Sequence, residues 1–159
     1  MIISAASGCG VMVKDYPILF ETDDVYYKKA VKVASHTKDI AEFLVDQDLS
    51  TLSLVNTTIS YHAPCSLQHG QKLPHLVEEL LTKLGYKLDP VTDAHLCCGS
   101  AGTYSILQPD ISTQLRDNKL KHLTQSQAGL IVTSNIGCQI HLSKGTTTPV
   151  KHWIELLDS

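Results

Sequence analysis

The sequence predicts an α/β fold, a mostly parallel sheet flanked by helices, and three observations carry that prediction. Two segments read as strands: TISYHAPC, residues 58–65, which alternates and is rich in β-branched and aromatic residues, and GLIVTS, residues 129–134. The second is a continuous apolar run, the pattern of a strand covered on both faces. Between them lie two stretches of helical periodicity, and strand, helix, helix, strand with long connections implies crossovers and parallel neighbours.

In chain order, residues 1–20 begin with a small-residue segment, SAASGCG, which is expected to be a loop, as though the chain opened in mid-architecture. From Tyr26 to Leu44 apolar residues recur near helical spacing, which predicts one broken helix or two short ones. Asp39 is placed to cap the second, DIAEFL, with Glu42 three positions on. The strand at 58–65 should end at Pro64 and Cys65. Leu73, Leu76, Val77, Leu80, Leu81 and Leu84 then form a helical core stripe, and Gly85 stands where a helix stop belongs. A glycine-rich turn, CCGSAGTY, follows, and after Pro109 a weaker helical pattern runs from Asp110 to about Thr124. The cysteines fall just past strand ends, where open α/β sheets put their sites. An internal echo is also visible: SGCG followed by DIAEFL resembles IGC followed by HWIELL, as though Cys9 closed one repeat and Cys138 a second. The chain divides accordingly into residues 1–55, the tail of a preceding repeat with linking helices, and residues 56–159, a cysteine-rich domain.

Composition narrows the function. A length of 159 residues with 43% hydrophobic side chains is enough to fold by burial alone. Thirteen basic against sixteen acidic residues, with no clustered Lys and Arg, argue against a nucleic-acid partner. No apolar run reaches the length of a spanning helix and the N-terminus lacks the marks of a signal peptide, so a cytoplasmic location is expected. Five cysteines in such a compartment are free, metal-bound or redox-active. The loop GSAGTY lacks the spacing of a phosphate cradle. Tyr104 reads as a packed aromatic, and the Trp153 helix either packs or docks a partner.

The most informative pattern is Cys65, the adjacent pair Cys97 and Cys98 followed by Gly99, and Cys138. Adjacent cysteine side chains are expected to diverge, reaching different irons of a multi-iron cluster more easily than two corners of one tetrahedral metal. Gly99 and Gly102 would let the backbone pass close to a cluster and donate amides to its sulfurs. Zinc is the metal alternative, completed by His62, His95 or His141 with two or three of the cysteines. A vicinal disulfide between Cys97 and Cys98, or a catalytic thiol with His95 or His62 as base, are others. Cys9, taken alone, reads as a buried small hydrophobe. His62, His69, His95 and His141 approach the cysteines in sequence, and tuning of the site from outside its ligand set is their expected role.

Cys65, 31 intervening residues, Cys97-Cys98-Gly99 and a closing cysteine after a strand together resemble the cysteine-rich CCG domain, a family that includes heterodisulfide reductase subunits and iron-sulfur subunits of glycolate and lactate oxidation complexes. YHAPCSLQHGQK, HLCCGSAGTYSILQP, IVTSNIGCQIHL and PVKHWIELLD are similar to the glycolate oxidase type, over most of residues 1–159. The resemblance implies an iron-sulfur cluster, 4Fe-4S in type, on Cys65, Cys97, Cys98 and Cys138. It implies electron transfer from a flavin-bearing partner that oxidises a 2-hydroxy acid toward a membrane acceptor, at the inner face of the membrane. The chain is then part of an oxidoreductase subunit and not a complete enzyme, with a ferredoxin-like region and most of a first repeat belonging upstream. Heterodisulfide reductase repeats close in C-x-x-C, whereas Asn135 stands three before Cys138 and Ala6 three before Cys9. Four thiolates remain, with Asn135 as a hydrogen-bond donor or weak ligand. Two other readings stay open: a zinc-stabilised assembly domain and a thiol-active reductase of the heterodisulfide type.

Overall fold

The structure, a computed structural model, describes residues 1–49, 52, 56–126 and 128–158. It is an α/β fold with parallel strands throughout the described residues. The main sheet has four strands in the order β4-β3-β5-β6, namely Lys87–Leu88, Thr58–His62, Ile131–Thr133 and Val150–His152. A second, two-stranded sheet pairs β1, Ile2–Ser4, with β2, Thr37–Asp39. The helices are α1 (Ser7–Lys14), α2 (Tyr27–His36), α3 (Ile40–Leu44), α4 (Leu76–Lys83), α5 (Tyr104–Leu107), α6 (Pro109–Leu123) and α7 (Ile136–Ser143). None is long and apolar enough to cross a membrane.

The two central strands are interior except for Thr58 at the start of β3. Ile59, Ser60, Tyr61 and His62 of β3 and all three residues of β5 are buried. Against one face of the sheet Val77, Leu80 and Leu81 of α4 join Ile59, Tyr61, Val132 and the fully buried Trp153 in the larger core. Burying side chains of this size stabilises by about 1.5–3 kcal/mol each. Against the other, Leu120 and Leu123 of α6 join Ile131, Leu142, Cys98 and Cys138 in a smaller core that ends at the cysteines. Trp153 is therefore a packing residue, and the docking alternative for it falls away.

Most predicted elements form. The helix expected from Leu73 starts three residues later, at Leu76, because Pro74 cannot continue a ladder and His75 is left-handed at φ 65°. Gly85, at φ 90°, ends it as expected. The stretch from Tyr26 to Leu44 does hold two helices, but β2 separates them, stabilised by partners about 35 residues away in β1 that no local pattern reveals. The Asp39 cap is as predicted: its Oδ1 accepts from Ala41 N–H at 3.0 Å and Glu42 Oε2 accepts from Asp39 N–H at 2.7 Å. The expected loop SAASGCG is not one. Its SGCG is the first turn of α1, where glycine is chosen for close approach and not for turning: a Cβ on Gly10 would strike the Gln71 amide at 2.7 Å and one on Gly8 the Asn135 amide at 3.0 Å.

The internal echo is a structural repeat. In β1-β2 the register pairs Ile2 with Thr37 and Ser4 with Asp39; in β5-β6 it pairs Ile131 with Val150 and Thr133 with His152. Each first strand leads after two residues into an eight-residue helix, α1 or α7, with Cys9 or Cys138 as its third residue. Each second strand leads into a short helical segment opened by a capping box, Asp39 with Glu42 and His152 with Glu155.

Candidate metal centre

The five cysteines come from four places in the chain. Cys65 follows β3 at the head of a tight helical turn, Ser66–Gly70; Cys97 and Cys98 lie in the loop after β4; Cys9 and Cys138 sit in the first turns of α1 and α7. All five line one cavity of about 540 Å³. Ser100, Asn135, His141 and Lys144 share its wall. Cys138 is thus helical and not in a loop, and Cys9 is exposed in the cavity wall, not a buried small hydrophobe.

The CCG loop is folded around Gly99. At φ 89° this residue is left-handed, and a Cβ there would collide with the carbonyl oxygen of Ser112 and touch Leu115 at 3.0 Å. Ser112 fixes the other side: its hydroxyl donates to Gly99 O at 2.8 Å and accepts from His141 Nε2 at 3.1 Å. The chain therefore turns sharply between α6 and α7, with Cys98 beside Cys138 and His62 and Cys97 beside Cys65. The Cys97 thiol meets both Cys65 and Cys98, and Cys98 meets Cys138, so four sulfurs form a continuous group.

That arrangement decides where charge goes. The neighbouring thiols of Cys65 and Cys98, with the Gly99 amide donating to Cys97 Sγ at 3.3 Å, hold Cys97 well below the ordinary thiol range. Cys65 is raised because its proton is engaged by Cys97, and Cys98 is raised by its contacts with Cys138 and Cys97 and by burial. Backbone amides of Ser66 and Ser100 act on Cys65 and Cys98 in the lowering direction, against these larger upward effects. Three sulfurs are thus each met by a fixed N–H dipole, the environment that stabilises thiolates. Lys119, 4% exposed, is the cation behind them, its Nζ donating to Asp93 O at 2.6 Å. Burial lowers its pKa while Cys98, Asp93 and Cys97 pull it back up. Sequence reasoning missed this lysine, although its place beside Leu120 and seven residues after Ser112 on the buried stripe of α6 was a usable signal.

Among the histidines, His62 alone joins the sulfurs: its ring, Cys98 Sγ and Cys138 Sγ offer ligand atoms within 4.8 Å of one another. Burial, with Lys119 nearby, pushes its pKa down to about 3, so the ring is neutral. His69 and His95 are exposed, and the His141 Nε2–H is spent on Ser112. Asn135 lines the cavity, but its Oδ1 caps α7 by accepting from Gly137 N–H at 2.8 Å and its Nδ2 donates to Ser66 Oγ at 3.3 Å. Gly102, left-handed at φ 59°, borders the cavity with open space around it. Converging deprotonatable sulfurs, one buried nitrogen and directed amides form a donor set suited to a soft metal centre.

Comparison with known proteins agrees with this arrangement. The glycolate oxidase iron-sulfur subunit of Escherichia coli is 45% identical over 158 residues, covering 99% of this chain and 39% of that protein. Lactate utilization protein A of Exiguobacterium sp. is 29% identical over 167 residues, 99% of this chain and 67% of that protein. The probable glycolate oxidase iron-sulfur subunit of Bacillus subtilis is 29% identical over 148 residues, 91% of this chain and 33% of that protein. The chain spans about two fifths of the length of the E. coli relative. Residues 59–143, more than half of the chain and the segment that holds Cys65, Cys97, Cys98 and Cys138, match the CCG family, and the chain belongs to this family of cysteine-rich domains.

Proposed function

We propose that this chain is the cysteine-rich electron-transfer part of a glycolate or related 2-hydroxy acid oxidase complex, with an iron-sulfur cluster held by Cys65, Cys97, Cys98 and Cys138. The observation that carries the reading is the convergence of those four thiols on one cavity, three of them met by backbone amides. A cluster bound there supplies a one-electron acceptor and donor, in the 4Fe-4S form on four thiolates. The chain's own residues do the rest. Cys97 is poised to lose its proton first, the amides of Ser66, Gly99 and Ser100 neutralise thiolate charge, and Lys119 adds a buried positive charge on the far side.

The names of the relatives support this assignment and the wider setting we infer from it. Electrons come from a flavin-bearing partner subunit and leave toward a membrane acceptor, in a cytoplasmic complex at the inner face of the membrane. We also infer that residues 1–55 are the tail of a preceding repeat and 56–159 the cysteine-rich domain, a division supported by the matching registers of β1-β2 and β5-β6. A second reading, a zinc-stabilised assembly domain, is favoured by one observation: His62, Cys98 and Cys138 lie close enough to share a single ion.

Iron, zinc and acid-labile sulfide analysis with a visible spectrum, on anaerobically purified protein, separates the two. The electron-transfer reading expects about four irons and four sulfides per chain, lost on changing Cys97 and Cys98 to Ser. Stoichiometric zinc without colour would overturn it in favour of the assembly domain.

A further inference from the structure

His62 is 2% exposed, and its Nε2 has no hydrogen-bond partner among the described residues. An unpaired buried imidazole nitrogen costs about 1–3 kcal/mol, and the ring it belongs to places a nitrogen within 4.8 Å of Cys98 Sγ and Cys138 Sγ. The ring's other nitrogen fixes its direction. Nδ1 meets Thr133 Oγ1 at 3.0 Å, and Thr133 is the register partner of His62 across the β3–β5 pair. Both residues end central strands of the main sheet, so the ring is held by the sheet and not by a loop.

Chemistry then selects the tautomer. A neutral imidazole carries one N–H. Nδ1 meets a hydroxyl, which can donate; Nε2 is the nitrogen left unpaired in a ring beside sulfurs, which as thiolates can only accept. A hydrogen on Nε2 with the Thr133 hydroxyl donating to Nδ1 satisfies both ends at once.

We propose that His62 is a positioning donor of this centre: Thr133 holds the ring so that Nε2–H points at the sulfur face of Cys98 and Cys138, and the bond raises the reduction potential of the cluster. This rests on the electron-transfer reading and deepens it. A hydrogen bond to sulfur stabilises the additional negative charge of the reduced state more than it stabilises the oxidised state. The neighbouring histidines do not compete for the role, since His95 is exposed and His141 is bound to Ser112.

The test is a potentiometric titration followed by electron paramagnetic resonance on anaerobically purified protein, with iron and sulfide counted in every sample. Removing the donor in His62→Leu should shift the reduction equilibrium about tenfold toward the oxidised form, about 59 mV downward for a one-electron couple. His62→Gln, whose amide N–H reaches the Nε2 position, should restore most of the shift, and Thr133→Val, which frees the ring, should fall between. Should His62→Leu fail to fold, His62→Asn keeps the Thr133 side and loses the reach, and is expected at the low potential. A wild-type potential in the Leu or Asn variant at full iron content overturns the proposal. So does the large hyperfine coupling of a metal-bound nitrogen in wild type labelled with ¹⁵N-histidine, which would make His62 a ligand. Wild-type protein without iron and sulfide overturns the electron-transfer reading, and this inference with it.

Discussion

At the scale of single residues, the site works by spending conformational and desolvation energy where the sulfurs need it. Gly99 is left-handed under the Ser112 carbonyl, and only a residue without a Cβ lets the Cys97-Cys98 loop fold back far enough for adjacent thiols to meet. His62 illustrates the desolvation side. Its pKa is pushed down to about 3 by burial, whereas a free imidazole titrates near ~6.5. Below the unfolded value the denatured chain binds a proton that the native ring refuses, so this contribution to stability is present above about pH 6.5 and is lost as pH falls toward 3. In the metal-free protein, urea denaturation is expected to show stability falling between pH 6 and pH 4 with a slope approaching 1.4 kcal/mol per pH unit from this group. His62→Gln should lack that component, and an unchanged slope in the variant would show that the ring is not buried neutral.

Single elements carry the residues into place. The first turn of α7 presents Cys138, and Asn135 is what starts that turn, through its cap on Gly137 N–H. The same side chain joins α7 to Cys65's neighbour through Ser66 Oγ, which also meets Ser7 Oγ of α1 at 2.7 Å. Asn135, picked out in the sequence as a hydrogen-bond donor or weak ligand, lines the cavity, and its polar atoms serve as cap and strut next to Cys138 and Ser66. Asn135→Ala is expected to lose about 1 kcal/mol of unfolding free energy, and Asn135→Ser should recover most of it because a hydroxyl also caps. Equal stability of the Ala and Ser variants in denaturant titration would show that the cap is not what Asn135 supplies.

For the whole molecule, the repeated strand-helix-strand units and the central β3 bring distant parts of the chain to one cavity. Gln71, just after β3, ties that segment to the first unit by donating to Ser7 O and Asp39 Oδ2, both at 3.0 Å, and Ser7 N–H joins the first unit to the second by donating to Ser134 O at 3.2 Å. A centre held, as proposed, by Cys65, the Cys97-Cys98 pair and Cys138 would join three separate chain segments that meet only in the folded state, so its binding energy adds to stability. At a free concentration about 100 times its dissociation constant it would add about 2.7 kcal/mol, and each kcal/mol moves the melting temperature of a chain this size by about 2–4 °C. Stripping the metal with a chelator should therefore lower the melting temperature by several degrees in wild type and leave the Cys97→Ser, Cys98→Ser double variant unmoved. A melting temperature indifferent to the chelator in both would mean that no metal crosslinks these segments.

The chain's own letters determined the fold class, the β3, α4, α6 and β5 elements, the Asp39 cap and the four cysteines, because each is written in local terms: periodicity, capping pairs, and rare reactive residues beside glycine. They also carried the repeat, as two short matching phrases around Cys9 and Cys138. Tertiary structure decided what depends on partners far away in sequence. The strands β1, β2 and β6 are three residues each and exist through pairing alone. SGCG became a helix because its glycines face Gln71 and Asn135. Four histidines stand near the cysteines in sequence, and nothing local separates them; the β3–β5 register does, by setting Thr133 beside His62 and holding its ring next to Cys98 and Cys138.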